Sequence, residues 1–356
     1  MSSELLGKSE TLMGGRRLEL RSALKRAVLS RAGDRLKGIT SLSQVEGSRP
    51  SLLSILRPLL PYLSLTFAAL LWAGNFIVGR AVHTTTPPIA LTFWRWVTVM
   101  LILLPVGLPS LIRQREALRQ NWHRVVLQGF TGIAIYSVLV YSSLHHTTAL
   151  NASLLLSTAP VMILLFSKLF YKQRVVGWQA IGSAISLLGA LTIITRGDLG
   201  TLTRLQFNSG DLLMMAGVMF WAAYSLQLQH RPKGLSPWAM LTASVIAGVI
   251  ILAPLYLWEL STGARIVLTP ETIGAIVYIS LFAALGGYFL WSKGVAAIGA
   301  NKAGLFLHLI PIFAAILAIL LLGERARLFH GMGISLVVLG LYLTNTASAA
   351  EEYNAK

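Results

Sequence analysis

Of the 356 residues, 55% are hydrophobic and only 12% are charged, whereas about a quarter of the residues of a soluble domain are charged. The formal net charge of +17 does not indicate nucleic-acid binding, because basic residues flank apolar segments, where lipid headgroups and membrane topology explain them. The absence of cysteine excludes disulfides and thiolate metal sites, and nothing in the sequence predicts a metal ion or a cofactor.

Residues 1–57 form a basic segment that we predict to be a disordered cytoplasmic tail. One alternative is a basic helix on the inner leaflet, formed by residues 14–38. Another is that residues 1–50 are translated sequence upstream of the true start. No apolar run in this region has the length of a signal peptide.

Ten apolar segments follow, each near the 20 residues that a transmembrane helix requires. The sequence therefore predicts an all-α integral membrane protein, with a short surface helix in the link 196–207. The predicted spans are 59–80, 88–108, 123–143, 148–169, 177–195, 208–229, 237–258, 270–291, 299–322 and 328–347.

The ten helices divide into two copies of a five-helix unit. Residues 149–195 align without a gap with 300–346, which pairs proline with proline and glycine with glycine at several positions. A weaker match pairs Trp72 with Trp221 and Pro88 with Pro237. Because five is odd, the second copy enters the membrane inverted, as in many secondary transporters. We predict repeats at 58–196 and 197–347 and a cytoplasmic tail at 348–356.

Lysine and arginine are more frequent on the face that would also carry the N-terminus. This bias predicts that both termini are cytoplasmic and that the chain lies in the inner or plasma membrane. One chain supplies both repeats, so a monomer suffices, although a dimer is compatible with the sequence.

Several motifs in this order are similar to those of the EamA group of the drug/metabolite transporter superfamily. The first repeat contains Leu71-Trp72-Ala73-Gly74-Asn75-Phe76 and Phe93-Trp94-Arg95-Trp96, and the second contains Leu321-Leu322-Gly323-Glu324-Arg325. The resemblance covers 59–347 and implies a ten-helix exporter of amino acids or other small metabolites with a central cavity. The first repeat lacks a counterpart of Glu324.

Charged side chains inside a membrane are costly and are candidates for function. Arg95 lies seven residues after Pro88, roughly 10 Å into its helix at about 1.5 Å per residue. It could bind a substrate carboxylate, or it could extend to the interface. Lys302 could attract anionic solutes or simply be interfacial. His308 could couple transport to protons or make a polar contact between helices.

Other polar and aromatic residues within the spans could line the cavity, and two prolines at matching positions could act as hinges or as static kinks. The tryptophans nearer the segment ends, including Trp96, are predicted to form an interfacial belt. The remaining cavity candidates are Trp72, Asn75, Tyr141, Asn151, Trp221, Tyr224, Tyr288 and Trp291, and the hinge candidates are Pro160 and Pro311.

These features predict a secondary transporter that exports small zwitterionic or amphipathic metabolites by alternating access. No nucleotide-binding loop is present, so ATP is not the predicted energy source. The expected partners are a small-molecule substrate and the lipid bilayer. An intramembrane enzyme is the alternative, but it would require clustered His, Asp, Glu or Ser–Lys groups. A membrane receptor is a further alternative.

Overall fold

A computed structural model describes residues 57–147, 149–173, 177–198, 200–322 and 325–354. After a single 3-10 turn at Arg57–Leu59, these residues contain ten helices that are long and apolar enough to cross a membrane. The predicted all-α class with ten spans is thus confirmed. The helices are α1 (Leu60–Ala81), α2 (Pro88–Arg113), α3 (Trp122–His146), α4 (Asn151–Tyr171), α5 (Gly177–Ile194), α6 (Ser209–Gln229), α7 (Pro237–Ser261), α8 (Pro270–Ile298), α9 (Ala300–Leu320) and α10 (Leu328–Asn354).

Helix starts follow local sequence signals. Proline occupies the first position of α2, α7 and α8, where a missing backbone N–H is tolerated. The hydroxyls of Ser236 and Thr269 cap α7 and α8. Asn208 and Asp211 form a reciprocal capping box at the start of α6.

The glycine contacts between helices α5 and α10 follow the symmetry of the inverted repeat. A methyl group added at Gly182 would lie 2.6 Å from the carbonyl oxygen of Gly340, and one added at Gly189 would lie 2.7 Å from that of Gly333. In the sequence alignment, however, Gly182 corresponds to Gly333 and Gly189 to Gly340. Each glycine therefore contacts the counterpart of the other, as two-fold symmetry between antiparallel helices requires.

Helices α2 and α7 show the same relation. The rings of Phe93 and Tyr256 stack at a centroid distance of 4.6 Å, and Gly107 lies against the side chain of Thr242. Phe93 corresponds to Thr242 and Gly107 to Tyr256. The symmetry that relates the repeats therefore converts the Phe93–Tyr256 contact into the Thr242–Gly107 contact. The packing confirms two five-helix repeats of opposite orientation.

Two pairs of equivalent helices deviate from regular α geometry near the centre. Helix α3 has a π segment at Gly129–Ile135, and α8 has one at Ile279–Gly286. Helix α4 is interrupted between Leu156 and Ala159, and α9 contains a 3-10 segment at Leu305–His308. Such irregularities are frequent at functional sites.

Some details differ from the sequence prediction. Helices α2 and α8 extend to Arg113 and Ile298, beyond the predicted 108 and 291, because apolar residues continue past the length that a membrane needs. The link after α5 carries the predicted short helix, at Gly200–Thr203. Glu324 and most of the N-terminal tail lie outside the described residues, so their predicted roles stay predictions.

Candidate functional site

Side chains from both repeats enclose a small central cavity. The space open to the centre of a water-sized sphere is about 20 Å³, enough for a single water molecule, so this conformation is closed around the site. The lining comes from α1, α2, α3, α4, α6, α8 and α9. It consists of Trp72, Asn75, Arg95, Tyr136, Ser137, Val140, Tyr141, Leu156, Trp221, Tyr288, Leu307 and Ile310.

Arg95 is the charged group of this cavity, and it is only 3% exposed. Its Nη1 donates a hydrogen bond of 3.0 Å to the Tyr141 hydroxyl, which donates one of 2.9 Å to Oδ1 of Asn75. The guanidinium also lies 5.0 Å from the ring centroid of Trp96 and 5.8 Å from that of Tyr288. Contact with ring faces partly offsets the loss of hydration of a buried cation.

The charge of Arg95 is not neutralised by any residue that the structure describes. No described carboxylate forms an ion pair with Arg95, and its buried Nε has no hydrogen-bond partner. A buried charge without an opposite charge is costly, and a buried donor left unpaired adds to that cost. The cavity therefore offers a cation and a free N–H to an anionic group.

Aromatic rings form most of the remaining wall. The rings of Trp72 and Trp221 meet edge to face at a centroid distance of 5.1 Å, and Tyr288 lies 5.5 Å from Trp221. The predicted interfacial position of Trp96 is wrong. Trp96 is fully buried, its indole Nε1 donates to Ser137 Oγ at 3.2 Å, and its ring contacts Tyr288 at 4.9 Å. It points inward because it lies on the buried stripe of α2 that also contains Thr92, Val99 and Leu103.

The two tryptophans that correspond between the repeats differ in their hydrogen bonding. Nε1 of Trp72 donates to the carbonyl oxygen of Ala283 at 2.9 Å. Nε1 of Trp221 is buried and has no partner. Between the two repeats, the Tyr288 hydroxyl donates instead to the carbonyl oxygen of Gly132 at 2.9 Å. Trp221 thus supplies a second unpaired donor to the cavity wall.

Tyr224 and Trp291, two predicted cavity residues, lie in the layer behind the lining. Trp291 packs 5.5 Å from both Trp72 and Trp221, and its Nε1 donates to Ser225 Oγ at 3.3 Å. Tyr224 packs 5.4 Å from Trp221 and 5.6 Å from Tyr288. Both residues support the lining rings without facing the cavity.

Asn151 and Lys302, which correspond in the two repeats, lie away from the cavity. Asn151 donates from Nδ2 to Asp211 at 3.1 Å and belongs to the polar cluster at the start of α6. Thr147 donates to the same carboxylate. Asn151 lies there because it is the first residue of α4, so it is near one end of the helix and not at the level of the central cavity. Lys302 is likewise in the first turn of α9 and is half-buried.

His308 is fully buried but also lies outside the cavity. Its Nε2 lies 2.9 Å from the carbonyl oxygen of Ser157, and its Nδ1 lies 2.7 Å from Ser186 Oγ. A carbonyl only accepts, so Nε2 carries the proton in this pair. His308 therefore links the irregular point of α9 to that of α4 and to α5.

Pro160 and Pro311 follow these two irregular points directly. Pro160 is the second residue of the second part of α4, and Pro311 is the third residue of α9 after its 3-10 segment. Proline removes a backbone donor to the preceding turn, which explains why both helices are interrupted there. Whether the interruptions move stays a prediction.

Six lining residues were not predicted from the sequence as cavity residues. Four are apolar and resemble core residues in any helix, so no sequence signal distinguishes them. Tyr136 and Ser137 carry a detectable signal, since both are polar groups within a span. The six are Tyr136, Ser137, Val140, Leu156, Leu307 and Ile310.

The described residues contain no group of three His, Cys, Asp or Glu side chains that could hold a metal ion. What they contain is an aromatic cavity with one buried cation, enclosed by two inverted five-helix repeats. This fold and site define a membrane transporter.

Sequence comparison places the transporter in a family. The EamA-like transporter family matches twice, at residues 59–195 and 208–346, and the chain belongs to that family. The uncharacterized transporter YyaM of Bacillus subtilis is 23% identical over 83% of this chain and 96% of its own. A protein of Streptantibioticus cattleyicolor, named a probable terminal-alkyne amino-acid exporter, is 26% identical over 79% of this chain and 92% of its own.

A crystal structure with 18% sequence identity has the same fold, with a TM-score of 0.67 over 82% of this chain and 98% of the other.

Proposed function

We propose that the protein exports small zwitterionic metabolites, amino acids among them, with Arg95 as the group that binds the substrate carboxylate. The observation that supports this proposal is the unneutralised guanidinium in the central cavity, with its free Nε. A carboxylate on Arg95 would supply the missing charge and accept from Nε. A similar relative named as an amino-acid exporter supports the same substrate class.

Trp221 is the second group in this proposal. Its free Nε1 is a donor in the wall that also contains Arg95, so it is placed to bind the same anionic group. The rings around the cavity suit the other end of the substrate. Aromatic faces attract an ammonium group and pack against an apolar side chain.

The closed cavity is compatible with alternating access. With room for about one water molecule, it represents a state between openings to the two faces. Because the repeats are inverted copies, exchanging their conformations would open the opposite face. We propose that this exchange moves the substrate.

Metabolite profiling and flux assays test the substrate and Arg95 together. Cells that overproduce the protein should accumulate a small set of amino acids in the medium, and Arg95→Ala should abolish this export at unchanged protein abundance. Arg113→Ala is the matched control, because Arg113 ends the same helix and its side chain is exposed. Undiminished export by Arg95→Ala would remove Arg95 from the site.

We also propose cytoplasmic termini in the cell membrane, on the basis of the lysine and arginine distribution. The chain has no cysteine, so single cysteines can report topology without background labelling. In intact cells, a membrane-impermeant maleimide should label Arg265→Cys but not Lys233→Cys. The reverse pattern would invert the proposed orientation.

A further inference from the structure

A second small cavity lies between α3, α6, α7 and α8, near the connection from α6 to α7. Its polar lining consists of Gln128, Arg231 and Ser292, and Met240 and Leu241 contribute apolar walls. The volume of this cavity is about 20 Å³, the same as that of the central cavity. Both cavities are thus contracted in this conformation.

The polar groups around this second cavity lack hydrogen-bond partners. Gln128 is 1% exposed, and its Oε1 accepts no hydrogen bond. The Ser292 hydroxyl is also buried and unpaired. The fully buried Tyr224 hydroxyl lies beside both side chains, yet it forms no hydrogen bond of normal geometry. Buried polar atoms are nearly always paired, so three unpaired ones at one place indicate a missing ligand.

The repeat relates one member of this cluster to the central site. Asn75 corresponds to Tyr224 in the alignment that pairs Trp72 with Trp221. In the first repeat, Asn75 and Tyr141 are bonded to each other and position Arg95. In the second repeat, the Tyr224 hydroxyl lies beside Gln128 and Ser292 and has no hydrogen-bond partner of normal geometry.

The available groups specify the ligand. Oε1 of Gln128 can only accept, so it can take a donor such as an ammonium group. Arg231 lies at the same cavity, is half-buried, and forms no ion pair with any described carboxylate. It can bind a carboxylate. An ammonium group and a carboxylate occur together in the head group of an α-amino acid.

We infer that Gln128, Ser292 and Tyr224, with Arg231, form a second binding station for the amino-acid head group, on the face that carries the α6–α7 connection. The inference rests on the proposed function. The ring of Tyr224 packs against Trp221 and Tyr288 of the central cavity, and so it separates the two stations. Solute passes from one to the other when this ring moves.

Cysteine protection tests the station. A Ser292→Cys variant, with no other cysteine, is reconstituted in proteoliposomes and treated with an impermeant methanethiosulfonate on the α6–α7 face. An equimolar mixture of the proteinogenic L-amino acids other than cysteine, at ten times its half-protecting concentration, should slow labelling about tenfold. Gln128→Leu should weaken this protection. Lys233→Cys, an exposed position of the same connection, should be labelled at one rate with and without amino acids.

The Arg95→Ala background separates the two sites. Protection of the cysteine at position 292 should persist there, although transport is lost. Protection that disappears with Arg95→Ala, or no protection in either background, would overturn the second station, as would equal protection at position 233. Undiminished transport by Arg95→Ala would instead contradict the proposed function, because it would leave the central cavity without its carboxylate-binding group.

Discussion

Trp72 and Trp221 occupy equivalent positions in the two repeats, yet we expect their replacement by phenylalanine to have opposite consequences. Both changes keep an aromatic ring in the cavity wall and remove one indole N–H. In Trp72 that N–H already donates to Ala283, whereas in Trp221 it has no partner among the described residues. The pair is therefore a matched test of whether an unpaired donor exists to bind substrate.

The magnitudes follow from the hydrogen bonds. Trp72→Phe leaves the carbonyl of Ala283 without its donor, which should lower the free energy of unfolding by about 1–3 kcal/mol. Trp221→Phe breaks no bond within the protein, so stability should stay constant or rise. A hydrogen bond to a charged group contributes about 1.5–3 kcal/mol, so Trp221→Phe should weaken substrate binding by about 10- to 150-fold.

Two assays distinguish these effects. Thermal unfolding in detergent, with the wild type as reference, should show a lower Tm for Trp72→Phe alone. Counterflow of amino acids in proteoliposomes should show a raised half-saturation concentration that is larger for Trp221→Phe than for Trp72→Phe. Equal effects of the two variants in both assays would refute the reasoning, because the difference in hydrogen bonding would then have no functional consequence.

Three further changes test other parts of the structure. Gly189→Leu should destabilise the α5–α10 contact by at least about 1–3 kcal/mol, because its side chain would meet the backbone at Gly333, and a fall in Tm is the measurement. Asp211→Ala removes the acceptor of the polar cluster at the start of α6 and should cost about 3 kcal/mol in the same assay. Tyr141→Phe leaves Nη1 of Arg95 without its acceptor and Oδ1 of Asn75 without its donor, so it should lower Tm and also raise the half-saturation concentration about tenfold in counterflow.

Hydropathy and the repeat were sufficient to predict the fold. A segment of about 20 apolar residues has few alternatives to a helix in a bilayer, because every backbone N–H and C=O must be hydrogen-bonded within the segment. The glycines that align between 149–195 and 300–346 were visible in the sequence, and the structure shows why they recur. They occupy the closest approach of α5 and α10, where a Cβ would collide with the opposite backbone.

The site was only partly predictable, because hydropathy does not say which face of a buried helix points to the cavity. Arg95 was identified because a charged side chain is unfavourable inside a membrane, and Trp72 because it is a large aromatic residue within a span. Trp96 was assigned to the interface by its place near a helix end, but the inward face of α2 overrides that position. Asn151 and His308 have polar side chains that other helices bond, and sequence alone does not separate such contacts from a binding site.

The inverted repeat gives the protein two related backbone halves but not symmetric chemistry. Arg95 corresponds to Ser244, so one repeat presents a cation where the other presents a hydroxyl that is buried and unpaired. Each lies seven residues after the proline that begins its helix, at similar depth from opposite faces. In the proposed cycle, a zwitterion that enters from the α6–α7 face meets the half-buried Arg231 first and the fully buried Arg95 later. The proposed exchange of repeat conformations would supply the path, and the difference between Arg95 and Ser244 would determine where along it the carboxylate is held most strongly.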